Sequence, residues 1–174
     1  MGRALRLLGL ATVVVATLAT PAAVSAAPAS TTFAVKGAEY AFTRTLGSFA
    51  GVARGSAGET ALWNASVEHV PLGSAPTSIT GGSFVMGTKG ADTTFDYVQG
   101  TFVDGGGAIT TIDPGTNCTN QPYLVAGALE NVATSTTTNG TGFLQVTLTH
   151  YRTRIFGRCL TYRATVVGAA RFEY

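Results

Sequence analysis

The sequence predicts an all-β fold, an antiparallel sheet of about eight strands closed into a barrel. Three observations carry this. After residue 26 the chain is rich in Thr, Val, Phe, Tyr and Gly and poor in Lys, Glu and Leu, a strand-forming balance. Glycine-rich breaks recur at short intervals. Several runs alternate apolar and polar residues with period two, which gives each strand one core-facing side. Closure removes sheet edges and so favours a barrel. A two-sheet β-sandwich predicts nearly the same string and stands as the alternative.

The expected strands lie at about 31–37, 39–45, 48–55, 60–70, 77–86, 93–103, 107–113, 121–131, 141–155 and 158–172. Trp63, Ala65, Val67 and His69 share one face, with Asn64, Ser66 and Glu68 opposite. Leu144, Val146, Leu148 and His150 share another, opposed by Gln145, Thr147 and Thr149. Leu160, Tyr162, Ala164 and Val166 align likewise, leaving Thr161, Arg163 and Thr165 outside. Asp104-Gly105-Gly106-Gly107 reads as a hairpin, because glycine accepts positive φ freely. Asp113-Pro114-Gly115 marks a turn ahead of Cys118. Thr134 to Gly142 reads as an exposed loop, and Gly157 and Arg158 sit where the last two strands join.

The N-terminus has the three parts of a cleavable secretory signal. Arg3 and Arg6 form a positive region, Leu7 to Leu18 an uncharged apolar run, and Val24 and Ala26 suit the −3 and −1 positions of a signal peptidase site. The apolar run falls short of the roughly 20 residues that span a bilayer. The expected organisation is therefore a signal peptide, 1–26, and a single all-β domain, 27–174, that is secreted to the extracellular side. No later stretch reads as a transmembrane helix. The Ala-, Gly- and Thr-rich style suggests a high-GC bacterium, in which the sequons at Asn64, Asn117 and Asn139 would be silent.

Arg3 and Arg6 account for the whole formal charge of +2. The remaining nine basic and nine acidic residues balance, which argues against a general affinity for nucleic acid. Their distribution is uneven. The last thirty residues hold Arg152, Arg154, Arg158, Arg163 and Arg171 against Glu173 alone. These either form an anion-binding patch or pair with acids in the same sheet. Export makes a Cys118–Cys159 disulfide the default for the two cysteines. Closing that 41-residue separation contributes about 4 kcal/mol in the loop-entropy model. The cysteine spacing matches no zinc pattern, and no cofactor is expected.

Phe49-Ala50-Gly51-Val52-Ala53, Gly81-Gly82-Ser83-Phe84, Gly100-Thr101-Phe102 and Gly140-Thr141-Gly142-Phe143 together resemble the small secreted barrels related to allene oxide cyclase and dirigent proteins. That resemblance implies an eight-stranded antiparallel barrel with a lumen open at one end. Plant members of the family use the lumen to steer reactive intermediates without a cofactor. No motif here transfers a catalytic residue from the family.

His69 and His150 are the sharpest candidates for chemistry, since imidazole titrates near neutral pH. Both fall on apolar strand faces near strand ends. Arg152 continues the His150 face and could bind an anion, and Tyr162 could add a hydroxyl. Trp63, Tyr162 and Arg152 are the candidate ligand contacts. Buried cations need a carboxylate, water or a ligand, and Glu68, Asp96, Asp104 and Glu130 are the acids considered for that role. With ten strands counted, those of His69 and His150 run in opposite directions, which would put the two rings at opposite mouths. A serine nucleophile elbow and a phosphate loop are absent. The first functional expectation is a non-enzymatic barrel that encloses a small apolar ligand or contacts a surface partner. A cofactor-free enzyme with His150, Arg152 and Tyr162 near the lumen is the second. The third is an inhibitor or toxin-like module presenting the 113–122 and 134–142 loops.

Overall fold

The computed structural model describes residues 30–73, 76–89, 95–114 and 116–174. The signal segment read at 1–26 lies outside them, as does the beginning of the strand expected from residue 93. The strands are β1 (Ser30–Phe42), β2 (Leu46–Gly55), β3 (Thr60–His69), β4 (Thr77–Lys89), β5 (Phe95–Thr111), β6 (Gln121–Thr134), β7 (Gly140–Ile155) and β8 (Arg158–Glu173). Each pairs antiparallel with the next, and β8 returns to β1 from Ser30↔Glu173 through Gly37↔Val166. The sheet is therefore a closed barrel, and the sandwich alternative falls. A short 3-10 turn, Thr116–Cys118, interrupts the β5–β6 connection.

Two expected strand breaks are not breaks. The segments read at 31–37 and 39–45 form one strand, β1, whose inward face continues from Phe33 and Val35 past Gly37 to Glu39. Gly37 stands opposite Gly51 there. A side chain on Gly51 would strike the Lys36 carbonyl, and one on Gly37 would meet the Trp63 ring. These glycines are spacers for a close crossing. The Asp104-Gly105-Gly106-Gly107 run does not turn back either. It lies inside β5, where pairing with β6 passes from Phe102↔Leu129 to Gly107↔Gly127. Five steps on β5 thus match two on β6, which is a large bulge, with Gly105 at φ 69°.

The β1 merger moves His69 from the fourth strand to the third, and the two mergers together move His150 from the ninth to the seventh. β3 and β7 are now third and seventh in an alternating barrel, so they run in the same direction. The ends of β3 and β7 share one mouth, here called the histidine mouth. The opposite mouth holds the start of β1, the β2–β3 turn and the end of β8.

Inward residues fill the interior between the mouths. Trp63, Phe84, Phe172 and Phe33 form a run of rings with centroid separations of 6.1, 5.5 and 6.2 Å. Trp63 Nε1 donates to the Lys36 carbonyl at 3.1 Å, which satisfies its one polar atom inside an apolar layer. Ile79, Leu129, Leu144, Val146 and Val166 pack around the rings, and all are fully or almost fully buried. Phe84→Ala would leave a cavity in a layer that closed strands cannot collapse to fill. It is expected to lower stability by about 3–5 kcal/mol, measured as a shift in the midpoint of chemical denaturation.

Candidate functional site

The histidine mouth brings together His69 and His150, which the sequence reading had separated. Both line one small cavity with Glu39, Phe42, Leu46, Phe49, Tyr123 and Leu148. His69 ends β3 buried, and its Nδ1 lies 2.7 Å from the Val70 carbonyl oxygen, a distance at which it donates. His150 Nε2 lies 2.7 Å from Glu39 Oε2, and both side chains are largely buried. The partner of His150 is thus Glu39, not Glu68, Asp96, Asp104 or Glu130. Alternation along an unbroken β1 would have found it, since Glu39 follows Phe33, Val35 and Gly37 on the inward face.

Aromatic rings frame this pair. Tyr123 meets His150 edge-on at 5.3 Å, and Phe42 lies 6.0 Å away. Burial holds the Tyr123 phenol proton above its ordinary value of 10.0. The Arg152 guanidinium opposes this effect and the Glu39 carboxylate reinforces it. A carboxylate that orients an imidazole beside a phenol is competent for proton transfer. The cavity it faces is only about 40 Å³, however. That space takes a few waters and not an organic substrate. The Glu39–His150 contact instead clasps β1 to β7, two strands that are not neighbours in the sheet.

Arg152 and Tyr162 lie beyond this mouth. β6 begins at the Gln121↔His150 pair and β1 leaves β8 at Gly37↔Val166, so the outer parts of β7 and β8 pair only with each other. They form a two-stranded overhang. Its register slips where Tyr151↔Arg163 gives way to Arg152↔Thr161, and Tyr162 is the extra residue. Leu160 and Tyr162, read as core-facing, are exposed because no opposing barrel wall reaches them. Tyr162 is therefore not a lumen residue. Arg152 donates from Nη1 to Gln121 Oε1 at 3.3 Å. Arg163 stacks on Tyr151, and Arg171 pairs with Glu173 at 2.8 Å within the sheet. Trp63 is core, buried among the rings described above. The Cys118–Cys159 disulfide forms as expected, with Cα atoms 5.5 Å apart, and ties the overhang to the β5–β6 connection.

The sequence reading places no site at the opposite mouth, although it names Asp96 and the 134–142 loop that rim it. A pocket of about 370 Å³ opens there. Phe33, Met86 and Val98 floor it from the core, Tyr97 and Tyr174 form aromatic walls, and Glu59, Asp96 and the hydroxyl-bearing residues 134–136 supply the rim. Ser135 Oγ donates to Asp96 Oδ1 at 3.1 Å, and the Thr134 hydroxyl accepts the Thr137 N–H at 3.0 Å, so the rim is internally braced. No Lys or Arg lines it among the described residues. No cluster of three or more His, Cys, Asp or Glu suited to a metal ion occurs among the described residues.

Comparison of the chain with protein-family models, with curated proteins and with solved structures finds no match.

Two outcomes test the clasp. Glu39→Ala leaves His150 without its partner and is expected to cost about 2–3 kcal/mol by chemical denaturation. The raised phenol predicts the alkaline behaviour. Above pH 10.0 the unfolded chain releases the Tyr123 proton while the folded chain keeps it, so the unfolded state binds fewer protons and stability falls as pH rises. Tyr123→Phe should flatten that decline in unfolding curves taken through the alkaline range.

Proposed function

We propose that this chain is an exported binding barrel that takes a small molecule at the mouth opposite the histidines. The observation that carries the reading is the open pocket of about 370 Å³, floored by inward apolar side chains and rimmed by hydroxyls and carboxylates. Its size lies within the range of small-ligand sites. An apolar floor favours a ligand with a hydrophobic body. A rim with acceptors and no lining cation favours a head that donates hydrogen bonds, such as a hydroxyl or an amine. The ligand expected from sequence was simply apolar and enclosed. The polar rim adds a directional contact, and the packed interior leaves room at a mouth, not in a central lumen.

Export rests on the charged, apolar and small-residue segments of the first 26 residues, and the disulfide suits an oxidising compartment. The resemblance to allene oxide cyclase and dirigent barrels implies an eight-stranded antiparallel barrel, which is the architecture of this chain, but it also implies an open lumen, and here the interior is packed. A catalytic role has less support, since Glu39, His150 and Tyr123 face a cavity too small for a substrate, and the open recess of about 540 Å³ at that mouth is lined by His69 without them.

The naphthylamine dye N-phenyl-1-naphthylamine, an apolar body with one N–H donor, serves as a probe. Saturable fluorescence enhancement is expected with the native chain. Ser135→Trp, which fills the rim from an exposed position, should weaken it by about tenfold or more, some 1.4 kcal/mol. His150→Ala, at the far mouth, should leave it unchanged. A dye curve indifferent to Ser135→Trp would overturn the assignment.

A further inference from the structure

The β7–β8 overhang is built against local preference. Its two-residue turn holds Phe156 and Gly157 at φ 49° and 77°, between the paired residues Ile155 and Arg158. Asn, Asp and Gly suit that left-handed region, and a bulky ring there is an outlier. Packing recovers nothing, because Phe156 is 100% exposed. Ile155, Leu160 and Tyr162 extend the apolar surface along the ribbon at 45%, 47% and 66% exposure. From Tyr151 to Arg163 the sequence carries Arg152, Arg154, Arg158 and Arg163 and no carboxylate. The register sets Arg158 beside Ile155 on one face and Arg154 beside Cys159 on the other, so exposed guanidinium groups flank the tip on both sides. The disulfide at Cys159 fixes the base of the tip to the barrel.

We propose that this overhang is an anchor for an anionic phospholipid bilayer, with Phe156 and Ile155 entering the acyl boundary and Arg154 and Arg158 holding headgroup phosphates. Charge complementarity selects the surface, since a ribbon with four cations and no anion is drawn to a negative interface. Shape selects lipid over protein. A stable protein interface needs a broad patch of roughly 800 Å² per partner, whereas a two-stranded tip with one apical ring suits a fluid surface that closes around it. Arginine keeps its charge at the headgroup level while its methylenes lie in the apolar layer. Contact through a two-stranded tip makes this a surface attachment. The attachment is independent of the ligand pocket, which opens at the other mouth.

Co-sedimentation of the oxidised protein with phosphatidylcholine vesicles, with and without phosphatidylglycerol, tests this. Binding is expected with phosphatidylglycerol, should weaken as salt rises, and should be slight without it. Arg154→Ser and Arg158→Ser should each weaken partition by about fivefold. Phe156→Gly is the decisive variant. Glycine suits the turn, so thermal stability should hold or rise while vesicle binding falls by about tenfold or more. Unfolding then cannot explain the loss. Equal binding to neutral vesicles, no binding to anionic ones, or binding unaffected by Phe156→Gly would each overturn the proposal. Phe156-dependent binding to polyglutamate with none to vesicles would overturn it in favour of an acidic protein partner.

Discussion

The pairing of β8 with β1 is the constraint on which the rest of the molecule depends. It turns a run of hairpins into a barrel, leaves no open edge along the wall, and commits every inward residue to a shared interior. An even number of alternating strands then sorts the connections between two mouths. The β1–β2, β3–β4, β5–β6 and β7–β8 connections gather at one mouth, while the β2–β3 and β6–β7 turns and the C-terminal end of β8 gather at the other. The two mouths are chemically unlike. One is sealed by a buried acid–imidazole pair and aromatic rings, and carries the cationic overhang. The other opens into an acidic, hydroxyl-rimmed pocket.

Much of this is legible in the sequence. The faces of β3 and of β7 as far as His150 follow directly from alternation, as does the barrel class from strand number and glycine punctuation. The disulfide follows from two cysteines in a chain read as exported. What failed was parity. A glycine run signals a place where the chain can take unusual dihedrals, and a hairpin and a bulge require the same permission. Asp104 to Gly107 satisfied the local rule for a reversal, but the segments on both sides of it keep β4 and β6 as neighbours, so the direction holds. The break expected between residues 37 and 39 fails as well. Gly37 ends the first expected segment, but its role is to let Gly51 and the Trp63 ring come close.

Two miscounts had large effects at the site. Reading the β5 bulge as a hairpin placed the two histidines at opposite ends, and the break expected in β1 hid Glu39 in a supposed junction. Tyr162 went wrong for a different reason. Alternation tells which side of a strand a residue is on, but not whether a wall stands there to meet it. Before Val166, β8 has no β1 beside it, so the apolar side chains of Leu160 and Tyr162 face outward into the open. The pocket at the other mouth was illegible because its lining comes from strand ends and turns dispersed along the whole chain, from Phe33 to Tyr174.

The closing pair also sets an order in time. Thr31 and Tyr174, whose side chains hydrogen-bond, stand 143 residues apart in sequence. That is a long loop to close. Contacts of this separation form late, because their loop entropy must be overcome before they contribute stability. Until β8 arrives, β1 is a bare edge, and the acid of the Glu39–His150 clasp waits for a ring more than a hundred residues downstream.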